Sequence, residues 1–133
     1  MKAFQILSIV FLLTLILSSC SREQRWTQRE FVDLATDFDE NIHQVPIPNH
    51  EPHRRILCRD YGEGCREGTG RRLMVRKGVE LVVISFESEA YAKAEARRLD
   101  QYYARNWLFD DVSHEPILID FIERVYDARP GRE

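Results

Sequence analysis

The amino-acid sequence predicts a small α+β domain: a mixed β-sheet, made of a hairpin and a β-α-β unit, with two or three helices packed on it. Three observations carry that prediction. Apolar residues recur at helical spacing in three stretches, each opened by a hydroxyl or proline start signal. Two strand-like runs flank Lys77-Gly78, and a third apolar run, NWLFDDV, lies between the last two helical stretches. The chain after its apolar leader is long enough for one hydrophobic core, which we place at residues 28–130.

Thr27-Gln28-Arg29-Glu30 is a capping box, a hydroxyl N-cap with Glu three residues on. Phe31, Leu34, Phe38 and Ile42 follow at helical spacing, so a helix is expected over 28–42. Pro46 and Pro48 stop it, and VPIPNHEPH reads as an extended, irregular connector. Residues 72–76 and 79–86 are rich in Leu, Met, Val and Ile, which predicts a hairpin whose turn uses Gly78 at positive φ. ELVVISF is almost continuously apolar and suits a central strand covered on both faces. Ser88 can cap a helix running to about residue 105, with Ala92, Ala96, Leu99 and Tyr103 on one stripe; the alanines allow close approach to a sheet. A strand over 106–112 comes next, so strand, helix and strand imply a parallel crossover. Ser113 and Pro116 open the last helix. Its apolar face is Ile117, Leu118, Phe121, Ile122 and Val125, and it ends before Pro130. The order α-β-β-α-β-α resembles half of a ferredoxin-like fold.

The leader says where such a domain would live. Lys2 and the amino terminus are positive, residues 3–17 are apolar, and small residues follow. That is the plan of a secretory signal peptide over 1–19. A transmembrane span needs about 20 apolar residues; this run is shorter and holds Gln5, Ser8 and Thr14. Leu17-Ser18-Ser19-Cys20 resembles the lipobox of bacterial lipoproteins, an aliphatic residue, two small residues and a cysteine. The resemblance covers only the first 20 residues. It implies a diacylglyceryl group on the Cys20 sulfur, cleavage before Cys20, and an acylated new amino terminus. Residues 20–27 would then form a lipidated tether. Ser21, where Asp would favour inner-membrane retention, points to the outer membrane, with the domain in the periplasm or at the surface. Two or three acyl chains anchor firmly without a spanning helix, because each buried methylene contributes about 0.8 kcal/mol.

Cys58 and Cys65 remain in CRDYGEGC. An even pair in an oxidising compartment reads as a disulfide. Closing so short a loop stabilises by about 2.5 kcal/mol in the chain-entropy model. Gly62 and Gly64 let it turn tightly, and the spacing does not fit the Cys-x-x-Cys of a redox pair.

The residue types offer few chemical sites. Asp110, Asp111, His114 and Glu115 place three carboxylates and an imidazole in a loop leaving a strand, a set that could bind a cation or act as acid and base. Such residues also gather at helix starts, where they cap amides and suit the dipole. His43, His50 and His53 lack the paired spacing of zinc ligands, so no metal is expected. The glycines at 62, 64, 68 and 70 match no phosphate-loop pattern, no serine sits in a nucleophile elbow, and nothing calls for a cofactor.

Charge is patterned more clearly. The chain is mildly acidic, with net charge −3, which argues against nucleic acid as a partner. Glu30, Asp33, Asp37, Asp39 and Glu40 crowd the first helix, although its C-terminal end favours cations. Arg54, Arg55, Arg71, Arg72, Arg76 and Lys77 gather around the hairpin. The two groups can pair with each other, or each can face an envelope protein or an anionic envelope polymer. The expected function is a non-catalytic binding module fixed to the membrane by its lipid. The alternatives are a small envelope hydrolase or metal-dependent enzyme built on residues 110–115, and a carrier or sensor of a small ligand.

Overall fold

The computed structural model describes residues 23–133. The signal peptide expected at 1–19, and with it Cys20 and Ser21, lies outside the described residues. Among the described residues the fold is α+β, with three α-helices packed on a six-stranded sheet in the order His43–Gln44 (β1), Arg71–Arg76 (β2), Val79–Ser85 (β3), Trp107–Asp110 (β5), Tyr102–Ala104 (β4) and Arg129–Pro130 (β6).

Helix α1 spans Gln28–Phe38. The Thr27 hydroxyl accepts from the Glu30 N–H at 3.2 Å, and the Glu30 carboxylate accepts from the Thr27 N–H at 3.5 Å, so the capping box is complete. The helix stops short of residue 42 because Asp39 turns extended and its carboxylate accepts from the Asn41 N–H at 2.9 Å. That local bond offers the backbone an alternative to another helical turn. Ile42 is buried all the same, since the chain folds back onto the same core. The two-residue strand β1, His43–Gln44, follows and pairs with the hairpin.

The hairpin is β2, Arg71–Arg76, against β3, Val79–Ser85, with Leu73 opposite Leu81 and Gly78 at φ +78° in the turn. Helix α2 spans Glu89–Leu99, and the Ser88 hydroxyl caps the Tyr91 N–H at 3.2 Å. It ends six residues before the expected limit of 105. Asp100 takes the left-handed conformation at φ +56°, and its N–H closes onto Ala96 and Arg97. Tyr102–Ala104 then forms β4, and a turn with Arg105 at φ +49° returns the chain as β5, Trp107–Asp110.

This hairpin corrects the expected mixed sheet. β5 runs antiparallel to both β3 and β4, and every neighbouring pair in the sheet is antiparallel. The β-α-β unit survives in split form. β3 and β4 run parallel, α2 connects them, and β5 lies between, as in the split unit of ferredoxin-like folds. Tyr103 had counted toward the helical stripe. As a strand residue it points into the same core that α2 covers.

Helix α3 spans Pro116–Tyr126, with Pro116 at its first position. Ser113 does not cap it: its hydroxyl donates to the Asp100 carbonyl and its N–H to the Gln101 side chain. Asp127 ends α3 at φ +53°, and the edge strand β6, Arg129–Pro130, pairs with β4.

Strand alternation divides the interior. Leu81, Val83, Trp107 and Phe109 face α1 and α3, whereas Ile84, Phe86, Tyr103 and Leu108 face α2 and the loop through Cys58 and Cys65. The ELVVISF strand is therefore covered on both faces. The crossovers β3-α2-β4 and β5-α3-β6 step the same way across the sheet from strands of opposite direction. Crossovers of one hand then place their helices on opposite faces.

Residues 23–27 are bound to the domain as a strap. Trp26 donates its N–H to the Asn106 side chain at 2.9 Å, and its carbonyl accepts from the Trp107 indole at 3.0 Å. Arg25 reaches the Glu87 carbonyl at 2.8 Å, and the Glu23 carboxylate accepts from the Glu89 N–H. Among the described residues no helix is long and apolar enough to cross a membrane.

Candidate functional site

Residues 110–115 do not converge on a common point. Asp110, at the end of β5, accepts from the Tyr61 hydroxyl at 2.7 Å and from the Asp111 N–H at 2.8 Å. Asp111, His114 and Glu115 are exposed. The loop is held from beneath by Gln101, whose side-chain oxygen accepts from the Val112 and Ser113 N–H groups at 2.8 and 3.2 Å. Burial, and then the Asp110 carboxylate, push the Tyr61 phenol well above its ordinary range. It is a fixed donor to Asp110. Among the described residues no three His, Cys, Asp or Glu side chains are placed to hold a metal ion.

Cys58 and Cys65 form a disulfide with Cα atoms 5.6 Å apart. Its loop covers Phe86: Cys65 bridges Phe86, and the Glu87 N–H donates to the Gly64 carbonyl at 2.7 Å. Gly64 adopts φ +81° and lies so close to Tyr91 that a Cβ there would stand 2.4 Å from the ring. The buried Glu95 carboxylate ties this loop to α2 by accepting from the Gly62 N–H and from Arg98.

Half of the predicted basic surface is used internally. Arg54 donates to both carboxylate oxygens of Glu80, at 2.9 and 2.8 Å, and Arg72 lies 3.5 Å from the same carboxylate. Arg71 donates to the carbonyls of Gly68 and Gly70 at 2.9 and 2.7 Å. Arg55, Arg76 and Lys77 remain exposed. The acids of α1 do not reach the hairpin. Glu30 serves the cap and Asp33 lies 3.9 Å from Arg29, one turn away. Among the described residues Asp37, Asp39 and Glu40 form no ion pair with the hairpin cations.

One concave surface emerges that the sequence did not single out. The C-terminal end of α1 and the N-terminal end of α3 diverge over the end of β2, leaving a groove of about 320 Å³. Ile42, Val75 and Phe121 line it, with Arg76 and Arg124 among the charged residues at its sides. Phe38 and Ile117, which also line it, are the two large apolar side chains left exposed among the described residues, at 55% and 38%. Phe38 touches Phe121 edge to face at 5.9 Å. Asp39 borders the groove, and Asp37 and Glu40 are its neighbours on α1's last turn and beyond. Both exposed residues had been assigned to apolar helix faces. Nothing in their spacing distinguishes a position that meets a partner helix from one that has passed its end.

No protein-family model matches the chain, no curated protein matches it, and no solved structure matches its fold.

Proposed function

We propose that this is a bacterial envelope protein, anchored by a lipid on Cys20, that acts without catalysis by holding a segment of another envelope protein. The groove between α1 and α3 is the observation that carries this proposal. It presents Phe38 and Ile117 to solvent, with Asp39, Asp120, Arg76 and Arg124 as its charged lining residues and Asp37 and Glu40 beside Asp39 in sequence. The acids Asp37, Asp39 and Glu40 oppose the α1 dipole and gain no cationic neighbour in its last turn. A partner that brings its own cations supplies what the helix lacks. The occupant we favour is a protein segment with apolar side chains for the groove and a basic flank for those acids. An anionic polymer fits less well, since Arg54, Arg71 and Arg72 are already engaged.

The leader motif supports the envelope address, and the Cys58–Cys65 disulfide suits an oxidising compartment. Ser21 favours the outer membrane over the inner. Two measurements test the proposal. Mass spectrometry of the mature protein should find acyl chains on residue 20, and an unmodified Cys20 ends the anchor reading. A photo-crosslinker at residue 117 should trap one discrete envelope protein in cells, and Asp39→Lys should abolish the adduct. An adduct unaffected by Asp39→Lys removes the acidic residues from the account.

A further inference from the structure

We infer that the strap end of the domain rests on the phospholipid headgroups, so that the groove between α1 and α3 is held away from the bilayer. This inference rests on the lipid-anchor proposal, and it follows from how little free chain that anchor would have. Three peptide steps separate Cys20 from Glu23, where the bound strap begins. An extended chain covers at most about 3.6 Å per residue, so the anchor and the domain lie within about 11 Å of each other. The strap itself gives no further slack, because Glu23, Arg25 and Trp26 are bonded to Glu89, Glu87, Asn106 and Trp107.

The strap meets the sheet where β3 ends and β5 begins. The groove lies where β2 ends, beside the β2–β3 turn, at the opposite end of the sheet. β3 has seven residues, so at about 3.3 Å each about 23 Å separates the strap contacts from the β2–β3 turn, with Phe38, Ile42 and Val75 at the far end and Arg124 of α3 bordering both the groove and the strap-end surface. An anchor within 11 Å of one end therefore orients the whole molecule.

The surface at the strap end suits headgroups. The Arg105 guanidinium stacks 4.2 Å above the half-buried Trp26 ring. Beside it a shallow depression of about 390 Å³ is lined by Trp26, Glu89, Arg105, Asp127 and Arg129, among others. Among the described residues Arg25, Arg105 and Arg129 form no ion pair. Arginine bonds phosphate oxygens in pairs, and Glu89 and Asp127 can meet the ammonium of phosphatidylethanolamine. Tryptophan and arginine together are common at the level of headgroups.

The chain starting at Cys20 offers a test that does not depend on cellular lipidation. Cys58 and Cys65 are joined, so Cys20 is the thiol available to couple to a maleimide lipid in phosphatidylethanolamine–phosphatidylglycerol vesicles. Both native tryptophans, Trp26 and Trp107, lie at the strap end. Spin-labelled headgroups should quench most of the native Trp26 emission. They should leave intact the emission added by Phe38→Trp, at the groove. Equal quenching of both, or quenching of neither, overturns the inference. The absence of acyl chains on cellular Cys20 would instead remove the anchor and leave this measurement standing.

Discussion

At the strap end, the Trp26 backbone is bonded on both sides, its ring packs on Phe31 and Tyr126, and Arg105 covers it. At the groove end, Phe38 and Ile117 stand half in solvent, and acids gather where the α1 dipole would prefer cations. Among the described residues the large apolar side chains left exposed gather at the groove end, whereas the apolar groups of the strap end are packed, so the proposed partner would complete the groove end. Substitutions at the strap end should therefore be read out in stability, and those at the groove in binding.

The largest effect is expected from Phe31→Ala. Phe31 is fully buried and stacks on Trp107 at 4.1 Å and on Tyr126 at 4.3 Å. Its truncation should destabilise by about 3–5 kcal/mol in denaturant unfolding. A loss under about 1 kcal/mol would mean that the aromatic stack does not close this end.

Asn106→Ala comes next. The side chain is buried and satisfies the Trp26 N–H, so its loss should cost about 1–3 kcal/mol and release the strap. Faster amide exchange at residues 25–27, with the groove residues unchanged, is the expected pattern. Equal acceleration at both ends would dissolve the contrast.

Breaking the Cys58–Cys65 disulfide should remove about 2.5 kcal/mol. The loop over Phe86 should open first, and thiol trapping of the native protein without reduction should find both cysteines closed. Free thiols there would argue against a bracing role.

Alkaline pH sharpens the comparison more gently. Tyr126, whose hydroxyl donates to the Phe31 carbonyl at 2.8 Å, has its phenol pushed up by burial, as does Tyr61. A folded pKa above the unfolded one means that stability is intact below about pH 10 and falls above it, as the unfolded chain releases protons first. Tyr126→Phe should flatten that decline. A decline unchanged by both Tyr126→Phe and Tyr61→Phe would assign it to other groups.

Several elements could be read directly from residues. The capping box at Thr27, the Lys77-Gly78 hairpin, the cysteine pair and the Pro116 helix each carry a local signal, and each stands in the structure where that signal put it. The errors came where local spacing had two meanings. Ile42 and Tyr103 continue helical stripes in sequence, yet both reach the core from segments beyond the helix end. β1 and β6, at two residues each, are too short to show a period. The engagement of Arg54 by Glu80, 26 positions away, and of Trp26 by Asn106, 80 positions away, depends on tertiary approach that no window contains. The groove was hidden for the same reason, since exposure at Phe38 and Ile117 depends on where two helices part.

The most direct test of the contrast is denaturant unfolding of the Phe38→Asp, Ile117→Asp double variant. Both positions are exposed ends of apolar stripes, so the stability should change by less than about 1 kcal/mol, with an unchanged denaturant slope. A loss of several kcal/mol, comparable to Phe31→Ala, would show that the groove belongs to the core and is not a surface kept for a partner.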